Sequence, residues 1–207
     1  MISTYQLKSG FQNKLRPMSN WLVLIGFTPN FVTNLTLVLN LLFVFWLAVT
    51  AGSPLALFSF PLVLFLRMAL NAIDGMMAKE HGMVTAAGGL LNELSDLVAD
   101  LAIYGAFFFV PGVNPYLIGI FLIVNVVVEF AGIAAVQIGS KRRFEGPMGK
   151  SDRAALFSVL ALCLAFGLSH SWLIQGLLLI GVILGGVTTV VRVQKAIYDS
   201  KVNGKSV

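Results

Sequence analysis

The stretch NAIDGMMAKEHGMVTAAGGLLNELSDLVAD, residues 71–100, decides the fold of this protein. It contains two apolar segments that are joined by a short polar turn around His81, and each segment carries ionisable side chains. A charged side chain that faces lipid at the centre of a membrane costs on the order of 2.5 kcal/mol. The two segments are therefore predicted to be neighbouring antiparallel helices whose polar faces turn toward each other.

The composition of the whole chain excludes a soluble domain. Of the 207 residues, 57% are hydrophobic and only 11% are charged, whereas soluble domains average about 25% charged residues. Six spans of about 20 residues each leave only the termini and short loops. We predict one membrane domain over 1–207, with a juxtamembrane segment at 1–28, a six-helix core at 29–196 and a cytoplasmic tail at 197–207.

Six apolar segments are candidates for transmembrane helices in an all-α integral membrane fold. The fifth is the shortest and is expected to begin near Ser151. The segments are Phe31–Thr50, Pro54–Ala78, Val84–Val110, Pro115–Gly139, Ala154–Leu168 and Trp172–Val191.

The distribution of basic residues predicts the orientation of the chain in the membrane. Lysine and arginine occur before the first segment, at Lys79, in the loop 141–153 and after the sixth segment, while the other three connections have none. By the positive-inside rule, both termini are predicted to be cytoplasmic, in a multi-pass protein of the cell's inner membrane. Because the positive charge marks one membrane face, no nucleic-acid partner is predicted.

The N-terminal segment is predicted to form an amphipathic helix on the inner leaflet, over Ser3–Leu15. Leu7, Phe11 and Leu15 share one helical face, as in helices that lie in the interface. The alternative is a basic tail that only sets the orientation of the chain.

Two polar helical faces are predicted to meet in a pocket that opens to the cytoplasm. Their members recur at helical spacing, as Arg67, Asn71 and Asp74 in the second span and Asn92, Asp96 and Asp100 in the third. A structural ion pair of Arg67 with Asp96 or Asp100 is one explanation. The acidic residues within or beside the spans outnumber this one arginine, and unpaired buried carboxylates must be protonated or bind a cation. A pocket that holds a cation is therefore favoured.

The same stretch resembles the signature of the CDP-alcohol phosphatidyltransferase family, D-x2-D-G-x2-A-R-x8-G-x3-D-x3-D. The segment Thr28–Asn30, with Thr33 beyond it, also resembles the entry to the family's first span. In three places the sequence departs from the signature, since Asn71 and Asn92 stand at the first and third aspartate positions and Lys79 at the arginine. The positions that match the family's spacing are Asn71, Asp74, Gly75, Ala78, Lys79, Gly88, Asn92 and Asp96.

The resemblance implies an enzyme of phospholipid biosynthesis. CDP-diacylglycerol or a similar CDP-alcohol would transfer its phosphoalcohol group to the hydroxyl of a small alcohol, which can itself carry a phosphate, and CMP would be released. The resemblance also implies a Mg²⁺ or Mn²⁺ cofactor and a homodimer in contact with membrane lipid.

Residue roles follow from the resemblance, position by position. Asp96 would also be the general base that takes the proton of the acceptor hydroxyl. The implied metal ligands are Asn71, Asp74, Asn92 and Asp96, and the implied CDP-binding residues are Asp74, Gly75, Ala78, Lys79 and Gly88.

The two asparagines change the charge of the implied metal site. The family's four aspartates supply −4, whereas Asp74 and Asp96 supply −2 here. Three outcomes are open: one metal ion instead of two, recruitment of Glu93 or Asp100 as a substitute ligand, or no catalysis.

The cytoplasmic loop KRRFEGPMGKSDR, residues 141–153, is a second candidate site because it concentrates five basic residues. Lys150 and Arg153, together with Arg67, are candidates for binding a phosphorylated acceptor or the phosphates of the donor. The alternative is a loop that sets orientation and attracts anionic lipid. Glu129, in the middle of the fourth span, either completes the cavity or bonds to a neighbouring helix.

Two other functions remain open. A small ion-coupled transporter also uses acidic residues in the membrane, but it would distribute polar residues along the outer halves of several spans. A degenerate family member would bind the CDP-lipid without turnover, and the two asparagines are compatible with it.

Overall fold

The computed structural model describes residues 4–168 and 170–203, which form seven α-helices and, within these ranges, no β-strand. The predicted all-α class is therefore confirmed. Short 3₁₀ turns, Ala106–Phe109 and Ala135–Ile138, follow α4 and α5. The helices are α1 (Thr4–Leu24), α2 (Pro29–Val49), α3 (Pro54–Glu80), α4 (Ala86–Gly105), α5 (Pro115–Ala134), α6 (Lys150–Ala165) and α7 (Ser171–Asn203).

Four of the six predicted spans are long and apolar enough, among the described residues, to cross a membrane. Of the other two predicted spans, the third corresponds to α4, which carries three acidic residues among 20, and the fifth corresponds to α6, which has only 16 residues. By these measures α4 is therefore too polar, and α6 is too short. The four candidate spans are Pro29–Val49, Pro54–Glu80, Pro115–Ile138 and Trp172–Val202.

Three of the four apolar helices begin where a capping residue precedes a proline. Thr28, Ser53 and Asn114 each stand directly before the first residue of a helix, and that residue is proline in all three cases. The Thr28 hydroxyl accepts a hydrogen bond from the Phe31 amide at 3.2 Å, and the Asn114 side chain accepts one from the Tyr116 amide at 2.9 Å. A polar cap satisfies a free amide and proline suits the first helical position, so the local sequence determines these helix starts.

The helices are distributed over two compact units. One unit contains the described residues up to Phe45 together with Leu62–Ile103, and the other contains Trp46–Pro61 together with the described residues from Tyr104 onward. The first unit includes the whole of the motif region. The predicted boundaries at 28 and 196 stay a prediction.

In the first unit, α1 is longer than predicted and packs against its own chain. Its end is Leu24 rather than Leu15, and the predicted start at Ser3 lies outside the described residues. Leu15 and Leu22 pack against a buried apolar cluster that includes Met77 of α3. Because packing continues beyond Leu15, the helix continues as well. The predicted association of this helix with the inner leaflet stays a prediction.

The end of α1 is also joined to the end of α3 by polar contacts. The Arg16 guanidinium forms an ion pair with the Glu80 carboxylate at 3.0 Å, and this hydrogen-bonded partner raises the pKa of Arg16. Both side chains are exposed, so the pair contributes little to stability.

In the second unit, α7 extends to Asn203, well beyond the predicted end at Val191. The polar residues of this extension have partners within the unit. The Arg192 guanidinium donates to the Val128 carbonyl at 2.7 Å, and Arg143 forms an ion pair with Asp199. The helix therefore continues because tertiary contacts hold its polar end.

Glu129, for which two roles were open, bonds to neighbouring helices. Its carboxylate lies 2.8 Å from Arg153 of α6 and 3.8 Å from Arg192 of α7, and Arg142 is 3.7 Å away. Burial and then the charge of Arg192 lower the pKa of the Arg142 guanidinium, which reflects the crowding of positive charge. One carboxylate thus balances part of the charge of three arginines.

This arrangement predicts an order of stabilities. Glu129→Gln removes the anion that three guanidinium groups share, whereas Arg153→Gln leaves Glu129 with two cationic neighbours. Breaking a buried ion pair costs about 3–5 kcal/mol. We expect Glu129→Gln to lower the free energy of unfolding by more than Arg153→Gln does. Thermal unfolding of the two purified variants in the same detergent measures this order. A melting temperature of Arg153→Gln below that of Glu129→Gln would contradict it.

Candidate active site

Two neighbouring cavities in the first unit are lined by the predicted metal ligands, and the larger of these two has a volume of about 190 Å³. It is lined by the beginnings of α2 and α4 and by the last turns of α3. All five residues that the sequence predicted for CDP binding line it, and so does Asn92, a further predicted metal ligand. These residues are Asp74, Gly75, Ala78, Lys79, Gly88 and Asn92.

Two helix N-termini contribute to the lining of this cavity. Pro29 and Asn30 belong to the first turn of α2, and Gly88 belongs to the first turn of α4, whose amide at Gly88 donates to the capping Thr85 hydroxyl at 3.0 Å. Helix N-termini carry partial positive charge and free amides, so they stabilise anions. The cavity is therefore suited to a phosphorylated ligand.

The two motif glycines serve different purposes. A Cβ atom added to Gly75 would have no neighbour within 4 Å, whereas one added to Gly88 would lie 2.7 Å from the Asn30 side-chain oxygen and 2.9 Å from the Thr85 hydroxyl. Close packing explains the glycine at 88. At 75, packing does not require a glycine, and the open space belongs to the cavity.

Asp74 is held in place by a threonine of α2. Its carboxylate is 4% exposed and accepts a hydrogen bond from the Thr33 hydroxyl at 2.7 Å. From the sequence, Thr33 and Asn30 were predicted to belong only to the entry of the first span. Asn30 lies in the Thr28–Asn30 segment, and Thr33 lies one turn beyond it. The resemblance of this segment to the entry of the family's first span was the signal that could have indicated a role at the site.

The second cavity is much smaller, about 10 Å³, and lies around the other two predicted metal ligands, Asn71 and Asp96. A space of this size holds about one water molecule. Thr33 lines both cavities. The four predicted ligands are thus divided, with Asp74 and Asn92 on the larger cavity and Asn71 and Asp96 on the smaller one.

Arg67 joins α3 to α4 through two carboxylates. Its guanidinium lies 2.6 Å from the Asp100 carboxylate and 3.7 Å from that of Asp96, and it donates to the Asp96 carbonyl oxygen at 3.1 Å. The Asn71 amide donates to the Asp96 carboxylate at 2.5 Å. The ion pairs that the sequence analysis considered as an alternative both form. Asp100, a predicted substitute ligand, is therefore bound to an arginine, and Glu93 lines neither cavity.

The donor chemistry of this region fits a divalent cation that prefers oxygen. Among the described residues, no three side chains of His, Cys, Asp and Glu come together, because two motif positions are amides. Asp74 and Asp96 offer carboxylate oxygens, and Asn71 and Asn92 offer amide oxygens. Mg²⁺ and Mn²⁺ both take such ligands. The assignment of these four residues as ligands stays a prediction.

The residues predicted to bind a phosphorylated acceptor already have partners within the protein. Arg153, in the second unit, is 1% exposed and donates to the Glu129 carboxylate at 2.8 Å and the Met148 carbonyl at 3.2 Å. Lys150 is the first residue of α6 and is partly exposed. A role of these residues, or of Arg67, in binding an acceptor stays a prediction.

Comparison with known proteins gives a consistent family. Residues 26–191 match a family model described as CDP-alcohol phosphatidyltransferase. The inner membrane protein YnbA of Escherichia coli K12 is 41% identical over 164 residues, which are 79% of this chain and 81% of that protein. The archaetidylinositol phosphate synthase of Aeropyrum pernix is 26% identical over 163 residues, 76% of this chain and 79% of that protein.

Solved structures share the fold. The phosphatidylinositol phosphate synthase PgsA1 of Mycobacterium tuberculosis with CDP-DAG bound has a TM-score of 0.75 at 19% identity, over 88% of this chain and 92% of that chain. The same protein in complex with manganese and citrate has a TM-score of 0.73 at 19% identity, over 88% of each chain.

The four predicted ligands are divided between two cavities, so we expect different effects from introducing an aspartate at position 71 and at position 92. Asn71→Asp replaces an amide that donates to Asp96 by a second carboxylate, whereas Asn92→Asp adds its charge at the larger cavity. Leaving a buried hydrogen-bond partner unsatisfied costs about 1–3 kcal/mol, so we expect Asn71→Asp to destabilise the metal-free protein by at least this amount. Melting temperatures in the presence of EDTA test this, with Asn92→Asp as the matched control. Equal melting temperatures for the two variants would contradict it.

Proposed function

Because this chain belongs to the CDP-alcohol phosphatidyltransferase family, we propose that it transfers the phosphoalcohol group of a CDP-activated lipid such as CDP-diacylglycerol to a hydroxyl acceptor, with release of CMP. The observation that carries the proposal is the larger cavity. It gathers the five residues predicted to bind CDP, although they come from two different helices, α3 and α4.

The proposed position of the donor nucleotide follows from the charges around this cavity. The pyrophosphate would face the N-termini of α2 and α4, and Lys79 would add a positive charge at the rim. Lysine acts here as a point charge rather than as the bidentate group that the family's arginine provides. The open space beside Gly75 would allow a phosphate or nucleoside to approach the backbone.

An apolar groove in the same unit supports a lipid substrate. The groove has a volume of about 330 Å³, and its walls include Leu39, Phe43 and Leu66. Thr36 and Arg67 line both this groove and the smaller cavity, so the two spaces are adjacent. We propose that an acyl chain of the donor occupies the groove while the head group lies in the polar cavities.

The proposed reaction is a substitution at the phosphorus atom that bears the lipid. The acceptor oxygen attacks this phosphorus, and the bond from it to the bridging oxygen of the pyrophosphate breaks, with the electron pair leaving on CMP. The acceptor's hydroxyl proton passes to the Asp96 carboxylate, which acts as the general base. Asn71 orients this carboxylate through its hydrogen bond, and Thr33 orients Asp74.

The proposed cofactor is Mg²⁺ or Mn²⁺, and its proposed ligands are drawn from the oxygen atoms of Asn71, Asp74, Asn92 and Asp96. A bound divalent cation would neutralise phosphate charge and make the phosphorus more susceptible to attack. A fold relative was solved in complex with manganese, which supports this choice of cofactor.

The proposed membrane topology has six spans, with α4 and α6 as the two beyond the apolar four. The polar faces of α4 would be satisfied inside the protein, where Arg67 pairs with Asp96 and Asp100. We further propose the inner membrane as the location, in line with the name of the E. coli relative, with both termini cytoplasmic and a homodimer as the assembly.

The proposed reaction is tested by CMP release. Purified protein is given CDP-diacylglycerol with a panel of acceptors that includes glycerol phosphate, inositol phosphate and serine, with and without Mg²⁺ or Mn²⁺. We expect metal-dependent CMP release with at least one acceptor. Because general bases contribute about 10²–10⁴-fold to rate, Asp96→Asn should lower that rate at least 100-fold. The exposed Glu80→Gln variant is the control and should retain it.

Two results would contradict the proposal. CMP release that Asp96→Asn leaves unchanged would exclude Asp96 as the base. Tight binding of CDP-diacylglycerol without CMP release from any acceptor would favour the binding-only member of the family.

The space beside Gly75 gives a separate prediction. Gly75→Ala places a methyl group in the cavity without a clash in the protein, and overpacking a filled site costs about 1–3 kcal/mol. We therefore expect the affinity for CDP-diacylglycerol to fall about tenfold at unchanged melting temperature. Gly186→Ala is the matched control, since a Cβ there also has no neighbour within 4 Å. Equal affinity of both variants, measured by isothermal titration calorimetry, would place the nucleotide elsewhere.

A further inference from the structure

We propose that the apolar groove of the first unit selects lipid donors whose acyl chain carries a hydroxyl group close to its ester end, and that the Asn40 side chain accepts a hydrogen bond from this hydroxyl. The inference rests on the proposed function, because it adds a chemical feature to the lipid donor. It makes Asn40 a residue that determines the specificity for that donor.

Asn40 of α2 is a buried polar side chain in the wall of this groove. The residue is 2% exposed and lines the groove together with apolar side chains such as Leu39 and Phe43. Its amide nitrogen donates a hydrogen bond to the Ala99 carbonyl of α4 at 3.2 Å. A carbonyl oxygen only accepts hydrogen bonds, so this contact fixes which end of the amide faces α4.

The other end of the amide, the Asn40 Oδ1 atom, is buried and has no hydrogen-bond partner among the described residues. The amide oxygen and nitrogen leave the same carbon atom in different directions, so the oxygen is turned away from the Ala99 carbonyl. A buried acceptor without a partner is costly, because it has lost its hydrogen bonds to water. Since Asn40 borders the groove, a ligand in the groove can supply the missing donor.

The other polar side chains of the groove wall show the same demand for a donor. The Thr36 hydroxyl, one turn before Asn40 on the same face of α2, donates its proton to the Val32 carbonyl at 2.8 Å and can only accept further hydrogen bonds. The Arg67 guanidinium contacts two carboxylates of α4. At Asn40 and Thr36, the groove therefore offers two hydrogen-bond acceptors.

These acceptors distinguish among lipids. The esters and hydrocarbon chains of an ordinary diacylglycerol contain hydrogen-bond acceptors but no donor, so such a lipid leaves the Asn40 oxygen unpaired. A hydroxyl group on the chain supplies the donor. A site that bonds a substrate hydroxyl discriminates against the analogue that lacks it, because the buried polar group of the site then stays unpaired.

The position of Asn40 along α2 indicates where on the lipid the hydroxyl lies. Asn40 follows Thr33 by seven residues, which is about 10 Å along the helix. Thr33 borders both polar cavities, where we place the head group, and the groove adjoins the smaller cavity through Thr36 and Arg67. A step of this length passes the glycerol and its esters and reaches the first carbons of the acyl chain.

The donor preference is measured with two matched probes, CDP-dimyristoylglycerol and the same molecule with 3-hydroxymyristoyl chains. Isothermal titration calorimetry of each probe with the protein in nanodiscs, without an acceptor, measures binding apart from turnover. One hydrogen bond is worth a factor of about 3 to 10 in affinity, and we expect the hydroxylated donor to bind more tightly by this factor. Equal affinities would overturn the inference, since they would mean that only water bonds to Asn40.

A variant tests the role of Asn40. Asn40→Leu removes the acceptor at a similar side-chain volume, and we expect the two donors to bind it with equal affinity. Asn34→Leu is the matched control and should keep the wild-type preference, because Asn34 is an exposed asparagine of the same helix that borders neither the groove nor the two polar cavities.

Two results with Asn40→Leu would overturn this role. One is an unchanged preference for the hydroxylated donor. The other is a loss of affinity by the same factor for both donors, which would show that Asn40 is only structural. If Asn40→Leu does not fold, the comparison of the two donors on the wild-type protein decides alone.

A third probe locates the hydroxyl on the lipid. CDP-1-myristoylglycerol carries a free hydroxyl on its glycerol and none on its chain. We expect it to bind no more tightly than CDP-dimyristoylglycerol. If this probe binds more tightly and the 3-hydroxymyristoyl donor does not, the inference is wrong.

The inference and the proposed function can fail separately. CMP release is followed in parallel samples with the acceptor panel and Mg²⁺. A preference for the hydroxylated donor without CMP release from any acceptor contradicts the proposed function alone. CMP release together with equal affinities for the two donors contradicts this inference alone.

Discussion

A buried guanidinium that is shared by two carboxylates is the interaction on which the site of this protein depends. Arg67 of α3 contacts Asp96 and Asp100 of α4, and these contacts hold two polar helix faces together in a chain that is otherwise largely apolar. Removing one member of a buried ion pair leaves an uncompensated charge and is strongly destabilising. The contacts of Arg67 therefore position Asp96 and also hold together α3 and α4, the helices that carry the motif.

The same interaction makes the two ends of the site unequal. At Asp96, an arginine and an amide surround the carboxylate, and little space remains. At Asp74, a threonine hydroxyl orients the carboxylate, and the cavity is large and bordered by two helix N-termini. An anionic nucleotide suits the second environment, because helix N-termini stabilise anions.

Helical spacing was sufficient to predict the main features of this site. The helical spacing of Arg67, Asn71 and Asp74 in one segment, and of Asp96 and Asp100 in the next, predicted two facing polar surfaces. The ion pairs that form were among the alternatives that this spacing indicated, beside a pocket for a cation. The apolar segments placed the starts of α3 and α5 at Pro54 and Pro115, where they occur. The division of the predicted ligands between two cavities was not predictable in this way, because residues of α2, such as Thr33, also line both cavities. The extension of α7 was also missed, since it depends on contacts of Arg143 and Arg192 with distant residues.

An experimental structure of the protein with CDP-diacylglycerol bound would show where the donor nucleotide lies. We expect the cytidine diphosphate in the cavity beside Gly75 and Gly88, with the pyrophosphate next to Thr33 and between Asp74 and Asp96. A nucleotide bound away from these residues, or carboxylates of Asp74 and Asp96 turned toward the acyl chains of the bilayer, would contradict it.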